Sequence, residues 1–464
     1  MSAAEARGED GGGVLRALRR TMTLVVDRLN EEKERAPCLP EETSSKSSSK
    51  MWGVQRRVAL DVLMACWGLG TWLGVNGLYV QLPLLVERLP EGWALPSSMV
   101  LAVQLANVGL LIYALLKRLL RRVSDSPYIY GLLTIGTLAL ALNAFFYTYT
   151  VPIGGSERSL SFLALTFFAA LVGCTSSVLF YPYLRHYREV YLATYLVGEG
   201  LSGFIPSILA LIQGVGGEPE CLPSPDNSTI VAVYPPARFD TMAFLLMLAA
   251  LSALSLVSFS FVDRWSAFRS ERVAPAEAAK EDEATAPRES LLQPTWVSVL
   301  ALMACLNALN NGVLPSIQSY SCMPYGNRAY HLAVTLGAMA NPAACLAGVW
   351  LAPLRARLLA ALLAATLAPF AFILATALMS PAPPLQLSVV GETLVVVSWV
   401  AVSACVSYAR MWVYAWARRG GASGMRACGA VTQAGSALGS LLLFLLVNYT
   451  ALFVQPEACP RTPS

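Results

Sequence analysis

The sequence predicts an all-α polytopic membrane protein whose eleven transmembrane helices fall into a half of six and a half of five. Hydrophobic residues make up 56% of its 464 residues and charged residues only 13%, and the mean hydropathy is +0.55. The apolar residues form eleven stretches between about Val58 and Val447, each able to cross a hydrocarbon core of about 30 Å. Because lipid offers the backbone no hydrogen-bond partners, such stretches are helices. Short motifs also recur in the two halves.

One charged segment separates the predicted helices into two groups. The helices cover residues 58–80, 97–117, 127–150, 159–182, 189–213, 239–263, 294–315, 329–352, 356–379, 389–412 and 425–449. Residues 264–293 are rich in Ala and Glu and are predicted to be a flexible cytoplasmic linker. The linker divides the chain into an N-terminal half, 58–263, and a C-terminal half, 294–449.

Positive charges predict the orientation of the bundle, because loops rich in Lys and Arg stay on the cytoplasmic side. Arg56 and Arg57 precede the first helix, and alternate connections are similarly basic, whereas the intervening ones are poor in basic residues. The N-terminal tail, 1–57, is therefore predicted to be cytoplasmic, and its composition predicts that it is mostly disordered. An odd number of spans places the tail 450–464 outside the cell.

Residues of the loops predicted to be extracellular agree with this orientation. Asn227 begins the sequon Asn227-Ser228-Thr229, so we expect it to be glycosylated. Cys221, Cys322 and Cys459 face the same oxidising side, and at most one pair of the three can form a disulfide.

No pattern in the chain predicts an enzyme, a metal site or a cofactor. The ten cysteines include no C-x-x-C pair and no Cys/His cluster, and the sequence contains no nucleophile elbow or phosphate-binding loop. The net charge of +4 is accounted for by the cytoplasmic loops and implies no nucleic-acid surface. We expect a small-molecule substrate and the lipid bilayer as partners, and the sequence leaves the oligomeric state open.

The two halves share motifs at nearly constant spacing, as parallel repeats do. The matching pairs are Asn76-Gly77 with Asn311-Gly312, Ala106-Asn107 with Ala340-Asn341, and Gly200 with Gly435. Repeats that run in the same direction are related by an axis along the membrane normal, and transporters of this plan bind substrate between their halves.

The polar residues inside the spans are almost all neutral amides and hydroxyls, and aromatic residues accompany them. Buried polar groups in lipid tend to face the bundle interior or a wet cavity. Such a lining suits a neutral, flat ligand with many hydrogen-bonding groups, and it suits a metal ion or a highly charged metabolite poorly. The alternative is that the amides join helices and the rings form interfacial belts.

Two titratable residues are candidates for coupling or pH sensing. Glu199 is the one acid predicted to lie deep in the membrane, either as a proton-coupling site or as a structural hydrogen-bonding group between Gly198 and Gly200. His331 is predicted at the extracellular mouth of the eighth helix, where it either senses external pH or bonds at the interface.

The order of these motifs resembles that of the eukaryotic riboflavin transporters of the solute carrier family 52 type. The motifs are Asn76-Gly77-Leu78-Tyr79-Val80-Gln81-Leu82-Pro83, Leu89-Pro90-Glu91-Gly92-Trp93, Gln104-Leu105-Ala106-Asn107, Cys174-Thr175-Ser176-Ser177, Gly198-Glu199-Gly200-Leu201-Ser202-Gly203, the run from Asn311 to Cys322, and Ala340-Asn341-Pro342. The resemblance spans about Val58 to Val447. The chain departs from the family pattern at Tyr79, where the family has Trp, and at Gln81, where it has Glu.

The resemblance implies sodium-independent uptake of riboflavin at the plasma membrane by alternating access, on a fold close to the major facilitator and equilibrative nucleoside transporters. Riboflavin is neutral, with a flat ring and a chain of hydroxyls. For such a ligand we hypothesise that Trp72, Tyr79 or Trp399 stacks on the ring. We expect its carbonyls, imide and ribityl hydroxyls to bond to the amides of Asn76, Gln81, Gln104, Asn107, Asn311 and Gln318.

Two other functions are weighed against this one. A transporter of another neutral heterocycle, such as a nucleoside, would have a similar lining. A cell-surface receptor would need a large ordered ectodomain, but the longest predicted extracellular loop, 214–238, is short and rich in proline.

Overall fold

The computed structural model describes residues 57–120, 123–184, 186–215, 220–223, 230–233, 235–272, 293–350, 355–386, 388–417 and 421–456. The predicted tail 1–57 lies outside the described residues except for Arg57. Most of the linker, Asn227 and residues 457–464 also lie outside them. The predictions for these segments are therefore untested.

Seven α-helices form the N-terminal half. They are α1 (Val58–Leu69), α2 (Leu73–Val80), α3 (Gly92–Leu119), α4 (Ser126–Phe146), α5 (Leu160–Leu184), α6 (Glu189–Gln213) and α7 (Thr241–Arg264). Within α3, a 3-10 turn Gly92–Ala94 leads into the segments Leu95–Leu105 and Val108–Leu119, and a helical turn Leu82–Leu85 follows α2. The loops carry two antiparallel ribbons, β1 (Val151–Ile153) with β2 (Ser156–Arg158), and β3 (Glu220–Pro223) with β4 (Ile230–Val233).

Five helices form the C-terminal half. They are α8 (Pro294–Tyr325), α9 (Asn327–Trp350), α10 (Ala356–Leu378), α11 (Val389–Ala417) and α12 (Gly421–Tyr449). Along α8, the segment Pro294–Ala308 passes through a π turn, Leu309–Val313, into Leu314–Cys322 and a final 3-10 turn, Met323–Tyr325.

The helical membrane class is confirmed, and the number of spans is not. Within the described residues, nine helices are long and apolar enough to cross a membrane, and the bent pair α1 and α2 makes a tenth. Helix α9 occupies the position of the eighth predicted span without belonging to these ten. The count of eleven therefore stays a prediction.

The first predicted helix is broken rather than continuous. Helices α1 and α2 meet at an angle of 55°. A Cβ on Gly70 would lie 2.2 Å from the Ser255 hydroxyl oxygen of α7, and that hydroxyl donates to the Trp67 carbonyl over 2.7 Å. A helix can break inside a membrane where a neighbouring side chain satisfies the freed carbonyl in this way.

The seventh predicted helix is longer than expected, because Pro315 does not end it. The proline lies in the first turn of Leu314–Cys322, directly after the π turn. A proline in a first turn removes no required hydrogen bond. Helix α8 therefore continues to Tyr325, ten residues beyond the predicted end at 315.

The first residues of the predicted linker are ordered rather than flexible. Residues Ser266–Glu271 form a 3-10 turn. The Glu271 carboxylate lies 3.3 Å from the Arg57 Nε and 3.2 Å from an Arg188 guanidinium nitrogen. These ion pairs hold the start of the linker against α1 and α6. We call this end of the bundle the linker face. The opposite end, where α2 and α12 end, is called the C-terminal face.

The contacts between helices agree with the predicted repeat. Between the halves, α3 packs against α12 and α6 against α9, which are equivalent pairs when the halves are exchanged. Within each half, α6 packs on α1 as α12 packs on α8. A Cβ on Gly198 would lie 2.0 Å from the Ala65 carbonyl oxygen, and one on Gly435 would lie 2.2 Å from that of Ala304. These contacts show that the glycine equivalent to Gly435 is Gly198, and not Gly200 as the motifs predicted.

These glycine contacts predict a loss of stability when a methyl group is added. Gly198→Ala and Gly435→Ala each place a Cβ against a backbone carbonyl, so we expect each to destabilise the folded protein by about 1–3 kcal/mol. Thermal unfolding of the purified protein in detergent measures the effect. Gly429→Ala on α12 is the matched control, because a Cβ there meets nothing within 4 Å. Equal melting temperatures for Gly435→Ala and Gly429→Ala would contradict the packing described here.

Candidate functional site

Asn76 lies where the two halves meet. Its Nδ2 donates to the Ser202 hydroxyl of α6 over 3.2 Å. A Cβ on Gly203 would lie 3.4 Å from this Nδ2 and 3.7 Å from the Ala338 carbonyl oxygen of α9. Helices α2, α6 and α9 therefore come together around one half-buried amide, as a site between the halves requires.

Trp72 and Glu199 lie on two of the elements that surround Asn76. The Tyr181 hydroxyl donates to Glu199 Oε2 over 2.9 Å. The Trp72 ring, at the start of α2, lies over Gly173, where a Cβ would come within 2.6 Å of the ring. Tyr181 thus orients the Glu199 carboxylate, and α5 packs closely against the Trp72 indole. Neither role predicted for Glu199, coupling or structural, is tested by these contacts.

Gln104 and Asn107 bond to each other at the interruption of α3. Asn107 Nδ2 donates to both the backbone and the side-chain oxygen of Gln104, each over 3.1 Å. The Asn107 Oδ1 is buried without a hydrogen-bond partner among the described residues. The pair therefore retains an acceptor that a ligand or a water molecule can use.

The π turn of α8 carries the amides of the C-terminal half. Asn311 Nδ2 donates to the Ser436 hydroxyl of α12 over 2.9 Å, and Asn310 Nδ2 donates to Asn311 Oδ1 over 2.7 Å. The Ser440 hydroxyl donates to the Asn311 backbone carbonyl over 3.3 Å. Turns of this kind often occur at functional sites. Asn311 is thus held by α12, and it orients Asn310, which is half-buried.

Two further predicted residues are half-buried on helices that meet the other half. Gln318 is half-buried on α8, and its amide has no hydrogen-bond partner in the part of the chain that the structure describes. Tyr79 is half-buried on α2, which packs against α9 of the other half. Tyr330 is fully buried, with no described partner for its hydroxyl.

The structure places Gln81 and Trp399 inside single halves, away from this boundary. Gln81 is 1% exposed, and its Nε2 donates to Gln213 Oε1 over 2.5 Å. Trp399 is 2% exposed, and its indole donates to the Ser321 hydroxyl over 3.2 Å. Both side chains join helices, which is the alternative role that the sequence allowed for such groups. We leave both out of the site.

His331 is buried rather than exposed at a mouth. Its side chain is 6% exposed, and its Nε2 has no hydrogen-bond partner among the described residues. The Thr335 hydroxyl donates to the His331 backbone carbonyl over 2.7 Å. This burial does not fit a solvent-exposed sensor of external pH.

The cysteines also differ from the expected set. Cys221 is disulfide-bonded to a partner cysteine. Cys322 is a free, buried thiol, so it is not that partner. Among the described residues, no group of three or more His, Cys, Asp or Glu side chains is arranged to hold a metal ion.

The site residues predicted from the sequence do not include the hydroxyl groups that orient them. Ser202, Tyr181 and Ser436 bond to Asn76, Glu199 and Asn311 respectively. A hydroxyl residue on a helix is too common to single out by sequence. The recurrence of polar residues at equivalent places in α6 and α12 is the one signal that could have found Ser202 and Ser436.

Comparison with known proteins identifies both the fold and the family. A solved structure of a D-xylose-proton symporter superposes with a TM-score of 0.55 at 13% identity, covering 84% of this chain and 89% of that one. Residues 56–455 match the family "Solute carrier family 52, riboflavin transporter". Member 3 of that family from Bos taurus is 38% identical over 461 residues, covering 86% of this chain and 98% of its own. "Riboflavin transporter 2" from Salmo salar is 37% identical over 447 residues, covering 86% and 97%.

The fold is that of a two-halved helical membrane protein with an architecture like that of the symporter structure. The chain belongs to solute carrier family 52, the riboflavin transporters. It is therefore a transporter rather than an enzyme.

Proposed function

We propose that this protein carries riboflavin into cells across the plasma membrane, by alternating access and without sodium. Family membership over residues 56–455 carries the proposal, and the neutral amides and rings at the boundary between the halves support it. Riboflavin has no net charge at neutral pH, so its site needs hydrogen-bonding groups and flat surfaces rather than ion pairs.

The proposed site combines residues from both halves. Trp72 and Tyr79 offer ring surfaces from α2. The hydrogen-bonding groups of the site are the amides of Asn76, Gln104, Asn107, Asn310, Asn311 and Gln318. Several of these amides are held by other helices before any ligand binds, which lowers the ordering cost of binding. The carbonyls and imide of the ring and the ribityl hydroxyls provide matching partners.

The proposed orientation places the linker face in the cytoplasm and the C-terminal face outside the cell. Basic residues at the linker face, including Arg57 and Arg188, support this orientation. At the C-terminal face the halves are joined by hydrogen bonds, for example from the Ser319 hydroxyl to the Trp93 carbonyl over 2.6 Å and from Asn448 Nδ2 to the Ser97 hydroxyl over 2.9 Å. These bonds support a conformation closed to the outside. We call the boundary between the halves at the C-terminal face the seam. Transport then requires the halves to separate at the seam and to close at the linker face.

Uptake of labelled riboflavin by cells that express the chain tests this proposal. We expect uptake well above that of empty-vector cells, unchanged when choline replaces sodium in the medium. Excess unlabelled riboflavin should compete, and nucleosides should not. Uptake equal to that of empty-vector cells would reject the assignment, and competition by nucleosides alone would favour a nucleoside transporter.

The structure predicts different effects for an alanine substitution at Gln318 and at Gln81. Gln318→Ala removes a free amide from the proposed site, so we expect the KM for riboflavin to rise about two- to tenfold with little change in stability. Gln81→Ala leaves Gln213 buried with an unmet hydrogen bond, so we expect a loss of about 1–3 kcal/mol of stability with KM unchanged. Uptake kinetics and thermal unfolding of both variants measure the contrast. An unchanged KM in Gln318→Ala would remove this residue from the site.

Glu199→Gln separates the two roles of this carboxylate. Glutamine can still accept a hydrogen bond from Tyr181, so a purely structural role predicts near-normal uptake with an unaltered pH profile. A coupling role predicts a slower rate and a flattened dependence of uptake on external pH, because the variant cannot exchange a proton. Uptake measured from pH 5 to 8 in both proteins decides between them. Asn76→Ala provides a control at the same boundary that carries no titratable group.

A further inference from the structure

We infer that the segment Phe453–Gln455, directly after α12, is an extracellular latch that holds the halves together and releases when the C-terminal face opens. This inference rests on the proposed function for the alternation of the two halves and for the side that faces outside. It does not depend on which substrate is carried.

Gln455 makes the direct connection between the halves. Its Oε1 accepts a hydrogen bond from the Trp93 backbone N–H at the start of α3, over 2.9 Å. Gly92 allows this approach in two ways. Its φ is +53°, a conformation that other residues rarely adopt, and a Cβ there would lie 2.6 Å from the Gln455 Oε1. The backbone of the N-terminal half is thus shaped to receive this side chain.

Phe453 adds an apolar contact beside the hydrogen bond. Its side chain is only 8% exposed, and its ring centroid lies 5.4 Å from that of Tyr320 in α8. Tyr320 in turn packs edge-on against Trp93 of the N-terminal half, with centroids 5.9 Å apart. Three aromatic rings therefore cross the seam in series, with the latch residue at one end.

The segment has its own anchor in the C-terminal half. The Val454 backbone carbonyl accepts a hydrogen bond from the Ser380 hydroxyl over 2.7 Å. The segment is not helical, so it can leave Trp93 without unwinding α12. The segment touches the other half through the Gln455 amide, and its Phe453 ring reaches that half only through Tyr320. An anchored, non-helical segment with one direct contact of this kind is suited to release and return.

Other hydrogen bonds between described residues also cross the seam. Besides the bonds of Ser319 and Asn448 described above, Asn327 Nδ2 donates to Glu87 Oε1 across it. Because each is a single hydrogen bond, loss of the Gln455 contact should shift the equilibrium between closed and open forms about two- to tenfold.

Cys322 provides a reporter that is already in the chain. It is a free thiol in α8, fully buried, and it lies one helical turn after Ser319, whose hydroxyl donates to the Trp93 carbonyl of the N-terminal half. Opening of the seam exposes this thiol to the outside. Its rate of reaction with a membrane-impermeant maleimide, applied to intact cells, therefore measures opening.

The experiment compares Gln455→Ala and Phe453→Ala with the unaltered protein. We expect Cys322 to react about two- to tenfold faster in Gln455→Ala, and at least as fast in Phe453→Ala. Val454→Ala is the matched control, because its side chain is 38% exposed and only its backbone carbonyl is bonded. Cys322→Ser supplies the background from other thiols.

Gln455→Glu distinguishes a latch from a general loss of structure. Glutamate keeps an oxygen that accepts from the Trp93 N–H, so we expect its labelling rate to return to that of the unaltered protein. Equal rates in all variants, or equally fast labelling of Gln455→Ala, Gln455→Glu and Val454→Ala, would overturn the latch. The labelling needs no substrate, so its outcome is independent of whether riboflavin is the cargo.

Discussion

The close crossing of two helices within each half is the contact on which the other features depend. In lipid, association of helices relies on packing and hydrogen bonding, because no hydrophobic force draws apolar surfaces together. Gly198 brings α6 onto the backbone of α1, and Gly435 brings α12 onto α8. The same crossings set Ser202 beside Asn76 and Ser436 beside Asn311. The same close helix crossings therefore pack each half and position side chains of the candidate site.

The place of an amide, rather than an unpaired group on it, separates the candidate site from the packing of one half. Gln81 donates to Gln213 inside one half, although its buried Oε1 has no partner among the described residues. Asn107 Oδ1 is in the same condition. In a membrane interior an unpaired amide is unfavourable unless a cavity supplies water or a ligand. Asn76 is the amide that the structure places where α2, α6 and α9 meet.

Helix packing between the halves, chiefly α6 on α9 and α3 on α12, is less extensive than packing within each half, which suits a transporter that must open. Near the middle of the bundle, Gly203 and Ala338 allow α6 and α9 to approach through small groups. At the C-terminal face, single hydrogen bonds and the ring series of Trp93, Tyr320 and Phe453 join the halves. Each half, by contrast, is held by long helix–helix packing. The stiffness of the halves and the weakness of the seam are complementary requirements of alternating access.

The sequence by itself determined the membrane class, most helix positions, the internal repeat and the family resemblance, because hydropathy and motif order are local properties. It also indicated that the lining is neutral. Only the tertiary structure showed that Gln81 and Trp399 pack within single halves, that His331 is buried, and that Pro315 lies inside a helix. The same residue type can bind a ligand or a neighbouring helix, and its partners in space decide which. Those partners come from helices far apart in the chain, where no local pattern records them.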